Sequence, residues 1–274
     1  MKIGVIGLGI IGGIYARNYD ASGVLAGTWN RTPQPSAPHW CETPEAVAAG
    51  AEVVQIVVSD PPAVESVLLR IAPALSAGKI VVQSSTIDPA SSKRFAAMVA
   101  ERGAHYLEAP FTGSKPAAEA RRTVFYLGGD VAVIAQVEPI LSLISEHRLV
   151  IGTTEQAAAL KLAMNLNIAV QFQGLCEALT LARRSGISDE VFFSVFSTNM
   201  GFSPLAKLKE PKLRSGDFSP QFSVKHMLKD MCLATGINGC DEFPGLATLR
   251  KRLVEAEARG FGDEDYIALI KLLR

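Results

Sequence analysis

The chain has 274 residues, with 27 basic and 27 acidic side chains and therefore a net charge of zero. Hydrophobic residues make up 48% and charged residues 20%, the balance of an ordinary folded protein, which excludes a disordered chain. Zero net charge gives no support to a nucleic-acid or anionic-membrane partner, since both favour a basic surface.

The N-terminal run IGVIGLGIIGGI is apolar enough to suggest a leader peptide, but glycines at 4, 7, 9, 12 and 13 interrupt it. It reads instead as a buried strand followed by a glycine turn. Further strand-like runs follow at 23–29 (GVLAGTW), 52–58 (EVVQIVV), 79–85 (KIVVQSS) and 105–109 (HYLEA). Ala-rich helical stretches lie between them, as at 61–75 and 89–102. Short β-branched strands alternating with helices predict a parallel sheet built from βαβ units. Two more runs, 122–129 and 147–153, extend the sheet, with a helix over 130–145 between them.

After Gly152 the pattern becomes helical. One long helix is predicted over roughly 155–185, with Thr154 as candidate N-cap and Gly186 as its stop. Further helices are predicted at 188–198, 203–214, 220–238, 243–259 and 263–273. The expected organisation is an α/β fold. A doubly wound sheet domain occupies 1–153, and an all-helical domain follows over 154–274, joined to it by the long helix. No stretch approaches about 20 uninterrupted apolar residues, so no membrane span is expected. Cys41, Cys176, Cys232 and Cys240 contain no CxxC pair, which suits a reducing compartment and an expected cytoplasmic location. The four histidines show no metal-ligand spacing, and no metal is expected.

Gly7-Leu8-Gly9-Ile10-Ile11-Gly12 fits GxGxxG. The pattern alone is weak, but here it follows a strand and opens a helix, the context of a Rossmann dinucleotide-binding turn. Gly7 permits the tight turn, Gly9 lets the backbone approach a pyrophosphate, and Gly12 lets helix and strand pack closely. The second strand ends Trp29-Asn30-Arg31-Thr32, without the carboxylate that holds the ribose 2′-hydroxyl of NAD. Arg31 can pair with a 2′-phosphate instead, and Asn30 and Thr32 add neutral hydrogen-bonding groups. The expected cofactor is NADP, with NADPH preferred over NADH.

Lys161 and Asn165 are four residues apart on the long helix, so they share one face. A lysine near the start of the joining helix, where a cleft is expected, can donate a proton to a carbonyl oxygen. The loop Thr112-Gly113-Ser114 follows a strand end and can offer hydroxyls and backbone N–H groups to a carboxylate.

Four motifs occur in one order: GLGIIG at 7–12, EAPFTGSK at 108–115, Lys161 with Asn165, and KHMLKDM at 225–231. In these the chain resembles the β-hydroxyacid dehydrogenases, over essentially its whole length. That family contains 3-hydroxyisobutyrate dehydrogenases and glyoxylate/succinic semialdehyde reductases, and EAPFTGSK, WNRT and KHMLKDM lean towards the latter. The resemblance implies that Lys161 is the general acid/base, with Asn165 as its orienting partner. It implies that Thr112, Gly113 and Ser114 bind the substrate carboxylate. Val58, Ser59 and Thr86 would line the cofactor, Phe222 would cover the nicotinamide, and Lys229 and Asp230 would close over it. The implied activity is reversible reduction of small carboxylate-bearing aldehydes, by a homodimer or larger homo-oligomer. One departure is Arg121, near a position where the family has glycine; it implies an altered far wall of the substrate pocket. Two alternatives share the fold: imine reductases, which generally lack the lysine, and non-catalytic NADP-binding modules, which would be expected to lose it.

Overall fold

Residues 1–273 are described by a computed structural model. β1 (Ile3–Ile6), β2 (Leu25–Trp29), β3 (Val53–Ile56), β4 (Ile80–Gln83) and β5 (His105–Glu108) pair in parallel, in the spatial order β2-β1-β3-β4-β5. β1, β3 and β4 are buried at every position, as strands covered on both faces must be. On one face α1 (Ile10–Ala21) and α6 (Val131–Leu141) contribute Tyr15, Tyr19, Val137 and Leu141. On the other, α2 (Pro44–Gly50), α3 (Pro61–Ile71) and α4 (Pro89–Ala100) contribute Val47, Leu68, Phe95 and Val99. This is the doubly wound sheet that the sequence pattern predicts. α2, α3 and α4 start alike: Thr43, Asp60 and Asp88 cap them with a side-chain oxygen, and a proline follows at the first helical position. Those sharp starts keep the loops after β3 and β4 short.

The far end of the sheet departs from the all-parallel expectation. β7 (Thr123–Gly128) runs antiparallel to β5, through Glu108 and Gly128. It is also antiparallel to β6 (Phe111–Thr112), so Thr112 belongs to a short strand where a loop is predicted. β8 (Ser145–Gly152) then pairs in parallel with β7 and completes the sheet. α2 and α5 (Lys115–Glu119) are too short to leave a helical period in the sequence.

The long helix α7 runs from Thr154 to Arg184. Its N-cap is Thr153, not Thr154. Gln156 N donates to Thr153 Oγ1 at 3.3 Å, and Thr153 N donates to Gln156 Oε1 at 2.8 Å, which is a reciprocal capping box. The Thr153-Thr154 doublet offers two frames, and only the first places a glutamine three residues on.

Two compact units result, Met1–Lys161 and a second beginning at Leu162. The second is helical: α8 (Asp189–Phe196), α9 (Pro204–Ser215), α10 (Val224–Thr235) and α11 (Pro244–Ala256) pack around Phe172, Phe193, Met227, Met231, Leu249 and Tyr266. Where an α-helix is predicted over 263–273, Tyr266–Leu273 forms 3₁₀ turns. Tyr266 to Ile270 are all buried, so this segment has no polar face to set an α-helical period. Among the described residues, no helix is long and apolar enough to cross a membrane.

Candidate active site

β1 has β2 on one side and β3 on the other, so the strand order reverses beside it. Open parallel sheets bind ligands at the carboxyl ends of strands beside such a reversal. Gly7 stands there with φ +101°, and a Cβ on it would fall 2.1 Å from the Val57 carbonyl oxygen. A Cβ on Gly12 would fall 2.0 Å from the Gly7 carbonyl oxygen, so α1 packs directly on the turn. Gly9 differs: nothing lies within 4 Å of a Cβ placed there, and a ligand can approach its backbone. Gly9 also caps α1 without a side-chain hydrogen bond, and Ile10 is half exposed. The first-turn N–H groups and the helix dipole therefore face outward towards an anion. The turn fits a dinucleotide pyrophosphate.

Side chains beyond β2 hold this turn in shape. Leu8 N donates to Asn30 Oδ1 at 3.0 Å, and Asn30 Nδ2 donates to the Thr32 carbonyl at 2.9 Å. Asn30 is thus engaged in building the turn. Gln34, which no motif singles out, donates Nε2 to the Leu8 carbonyl at 3.3 Å. Arg31 and Thr32 are solvent-exposed at the rim.

The next two strand ends are tied together. Val58 N donates to Ser85 Oγ at 2.9 Å, and Thr86 is half-buried beside it. Ser59 donates to Asp60, the cap of α3. Below them Gln83 Nε2 donates to the Ser85 carbonyl and to Glu108 Oε1, both at 2.8 Å, while Ser85 N donates to Gln83 Oε1 at 2.6 Å. Glu108 Oε2 accepts from Ser92 Oγ and from the Tyr106 hydroxyl, both at 2.7 Å. Glu108 is fully buried. Burial pushes its carboxyl up to about 8; the three donors oppose that shift and Asp88 adds to it. The sequence signal for this group is a buried polar residue closing a strand, Gln83 at the end of IVVQ and Glu108 at the end of HYLE.

β5 leads through Pro110 into Phe111 and Thr112. Phe111 meets Tyr15 of α1 edge-on at 5.5 Å and Phe125 of β7 at 5.8 Å. Thr112 pairs with Val124 in the ladder. Gly113 takes φ +121°, and Ser114 stands at the start of α5 without spending its hydroxyl on the cap. The half-buried Lys161 places Nζ 6.0 Å from the centroid of the Phe111 ring. The structure therefore brings the lysine to the strand that carries Thr112 and leads into Gly113 and Ser114. Lys115 turns elsewhere, to Glu119 on its own helix at 3.8 Å, with both side chains exposed.

The remaining candidates belong to the second unit. Asn165 is buried and donates Nδ2 to Asp230 Oδ2 at 2.6 Å. Asp230 Oδ1 pairs with Lys229 Nζ at 2.7 Å. That bond uses one N–H of the Asn165 amide, which also carries a second N–H and a carbonyl oxygen. Phe222 packs on Tyr266, their ring centroids 6.0 Å apart, and His226 is engaged by Ser223, the cap of α10.

Arg121 corrects an expectation. Its φ is +58°, and it follows the end of α5. Arg121 N donates to the Ala118 carbonyl and Arg122 N to the Ala117 carbonyl, the bonding of a Schellman cap, where glycine is the usual residue. The guanidinium points to Ser22 at the C-terminal end of α1, within 3.5 Å of its hydroxyl. That is the far end of α1 from the glycine turn. The departure from glycine is a matter of backbone conformation, not of a pocket wall.

The model for the NAD binding domain of 6-phosphogluconate dehydrogenase matches residues 2–152. The model for the NAD-binding region of NADP-dependent 3-hydroxyisobutyrate dehydrogenase matches residues 156–273. The chain is 29% identical to the chloroplastic glyoxylate/succinic semialdehyde reductase 2 of Arabidopsis thaliana, over 100% of this chain and 80% of that protein. It is 30% identical to 2-(hydroxymethyl)glutarate dehydrogenase of Eubacterium barkeri, over 99% of this chain and 94% of that one. The crystal structure of 3-hydroxyisobutyrate dehydrogenase from Salmonella typhimurium matches with a TM-score of 0.89 and 25% identity, covering 99% of both chains. The chain belongs to the β-hydroxyacid dehydrogenase family, the NAD(P)-dependent oxidoreductases that act on CH–OH groups. Its cofactor is a nicotinamide dinucleotide, in keeping with the glycine turn described above.

Proposed function

We propose that this protein is an NADPH-preferring reductase of small carboxylate-bearing aldehydes, of the glyoxylate or succinic semialdehyde type. It runs reversibly on the corresponding hydroxyacids, with Lys161 as the proton donor and acceptor. The observation that carries this reading is the position of Lys161 Nζ, 6.0 Å from the Phe111 ring and so beside the 112–114 segment. A cation beside a short segment that carries two hydroxyls and a glycine N–H suits a substrate with a carbonyl and a carboxylate. Thr112 and Ser114 offer hydroxyls to the carboxylate, and Gly113 offers its N–H. When bound, the nicotinamide supplies hydride to the carbonyl carbon, or receives it from the alcohol. Lys161 gives its proton to the carbonyl oxygen during reduction and takes it back during oxidation. Asn165, one turn along the same helix, orients the lysine or the substrate oxygen and is itself steadied by Asp230. The exposed Arg31 at the end of β2, with no carboxylate in Trp29-Asn30-Arg31-Thr32, supports the preference for a 2′-phosphate.

Replacement of the lysine tests the reading. Lys161→Ala is expected to slow single-turnover hydride transfer by about 10²–10⁴-fold, the range for a positioned acid or base. The dissociation constant for NADPH, read by fluorescence, is expected to change by less than about twofold, because the phosphates are held at the glycine turn. Hydride transfer within about threefold of wild type would remove Lys161 from the mechanism.

A further inference from the structure

Glu108 lies below the rim of the sheet and makes no part of the chemistry described above. Its carboxyl is fully buried and is held by three donors from three elements: Gln83 at the end of β4, Ser92 on α4 and Tyr106 on β5. Gln83 passes the connection upward. Its amide grips Ser85 at both backbone groups, donating to the carbonyl and accepting from the N–H. Ser85 in turn accepts at Oγ from Val58 N, in the loop after β3. Glu108 itself precedes Ala109, whose N donates to the Gln83 carbonyl at 2.7 Å, and then Pro110 to Ser114. One continuous line of hydrogen bonds, buried as far as Ser85 and part-buried at Val58, thus joins the loops after β3, β4 and β5.

We propose that Glu108, acting through Gln83, is a positioning residue that sets the loops at 57–59, 84–86 and 109–114 in register with one another. The consequence for function rests on the reading above, in which those loops hold the cofactor and the substrate carboxylate. The physical case is one of stakes. A buried carboxyl bonded to three side chains ties down each of them, and removing it takes a hydrogen-bond partner from three buried polar groups at once. Packing alone would be indifferent to which polar atoms fill the space. A hydrogen-bonded link requires an acceptor facing Gln83 and a group compatible with Ser92 and Tyr106. Glutamine meets both needs: its carbonyl accepts from Gln83, and its amide donates to the serine and tyrosine oxygens. Alanine meets neither.

The test compares Glu108→Ala with Glu108→Gln in the full-length protein, by amide hydrogen exchange, NADPH binding and steady-state kinetics. In Glu108→Ala the amides of Val58 and Ser85 are expected to exchange at least about tenfold faster, while those of β1 keep their protection. NADPH affinity and kcat/KM are expected to fall with them, by about tenfold or more. Glu108→Gln is expected to restore all three quantities to within about threefold of wild type. Should Glu108→Ala fail to fold, Gln83→Leu carries the same test, since it cuts the line to Ser85 and leaves Glu108 with Ser92 and Tyr106. Wild-type exchange at Val58 and Ser85 in the alanine or leucine variant would overturn the proposal, as would a glutamine variant as impaired as alanine. Faster exchange at those amides with unchanged NADPH affinity and kcat/KM would support the link between the loops. That outcome would overturn the assignment of the loops to cofactor and substrate.

Discussion

Arg121 follows the end of α5 with a positive φ, and its guanidinium reaches towards the Ser22 hydroxyl. A charged side chain in place of a family glycine draws attention to a pocket. Its φ of +58° shows that the glycine answers a backbone need at the end of α5. A non-glycine residue in that conformation costs about 1 kcal/mol. Arg121→Gly is therefore expected to raise unfolding stability by about 1 kcal/mol, less the extra chain entropy of glycine, and to leave kcat/KM within about twofold. Calorimetry and kinetics on one sample check both, and a tenfold change in kcat/KM would return Arg121 to the substrate site. Arg31 carries the opposite expectation, for it stands exposed at the end of β2. Arg31→Ala is expected to weaken NADPH binding by about 1.5–3 kcal/mol and NADH binding hardly at all. Titration of both cofactors decides it, and equal losses would show that Arg31 does not face the 2′-position. Asn30 was legible only in part: its type suggested a neutral hydrogen-bonding group beside Arg31 for the cofactor, whereas its side chain shapes the glycine turn through Leu8 and Thr32.

At the scale of elements, the parallel strands were legible because complete burial leaves a mainly apolar run, unbroken in β1 and interrupted only by Gln55 in β3. β6 was not, because two residues carry no alternation and its pairing with β7 is a tertiary matter. The start of α7 was legible to within one residue, and the reciprocal bonds of Thr153 and Gln156 chose the frame. The joint between β4 and β5 was hidden for another reason. Gln83 and Glu108 look like accidental polar residues at strand ends, and only the fold brings them together. The buried carboxyl also has a consequence for stability. Burial raises the folded-state value from 4.5 to about 8, so between those values the folded protein binds a proton that the unfolded chain has lost. The resulting stabilisation is fully present below about pH 4.5 and is lost as the pH rises to about 8. Unfolding stability is therefore expected to decline over that window through this group, and Glu108→Gln is expected to flatten the decline. Denaturant titrations of both proteins between pH 5 and pH 9 check this. Identical pH profiles would show that Glu108 does not hold its proton in the folded state.

For the molecule as a whole, the order of motifs along the chain carried more than any one of them. The glycine turn after β1 ends at Gly12, the small-residue segment after β5 begins 100 residues later at Thr112, and Lys161 of α7 lies 47 residues beyond Ser114. The fold places Lys161 over Phe111, and the strand reversal beside β1 supplies the place for a dinucleotide. The proposed assignment of Thr112, Gly113 and Ser114 to a substrate carboxylate makes the substrate's charge the sharpest question. In that proposal a substrate without a carboxylate leaves those donors without their partner, at about 1–3 kcal/mol for each group that the bound substrate buries. The most direct measurement is kcat/KM with NADPH for succinic semialdehyde beside butanal, which matches its chain length but lacks the carboxylate. The expected result is a preference of at least about tenfold for the carboxylated aldehyde. Equal turnover of the two, or better turnover of a cyclic imine, would contradict the assignment.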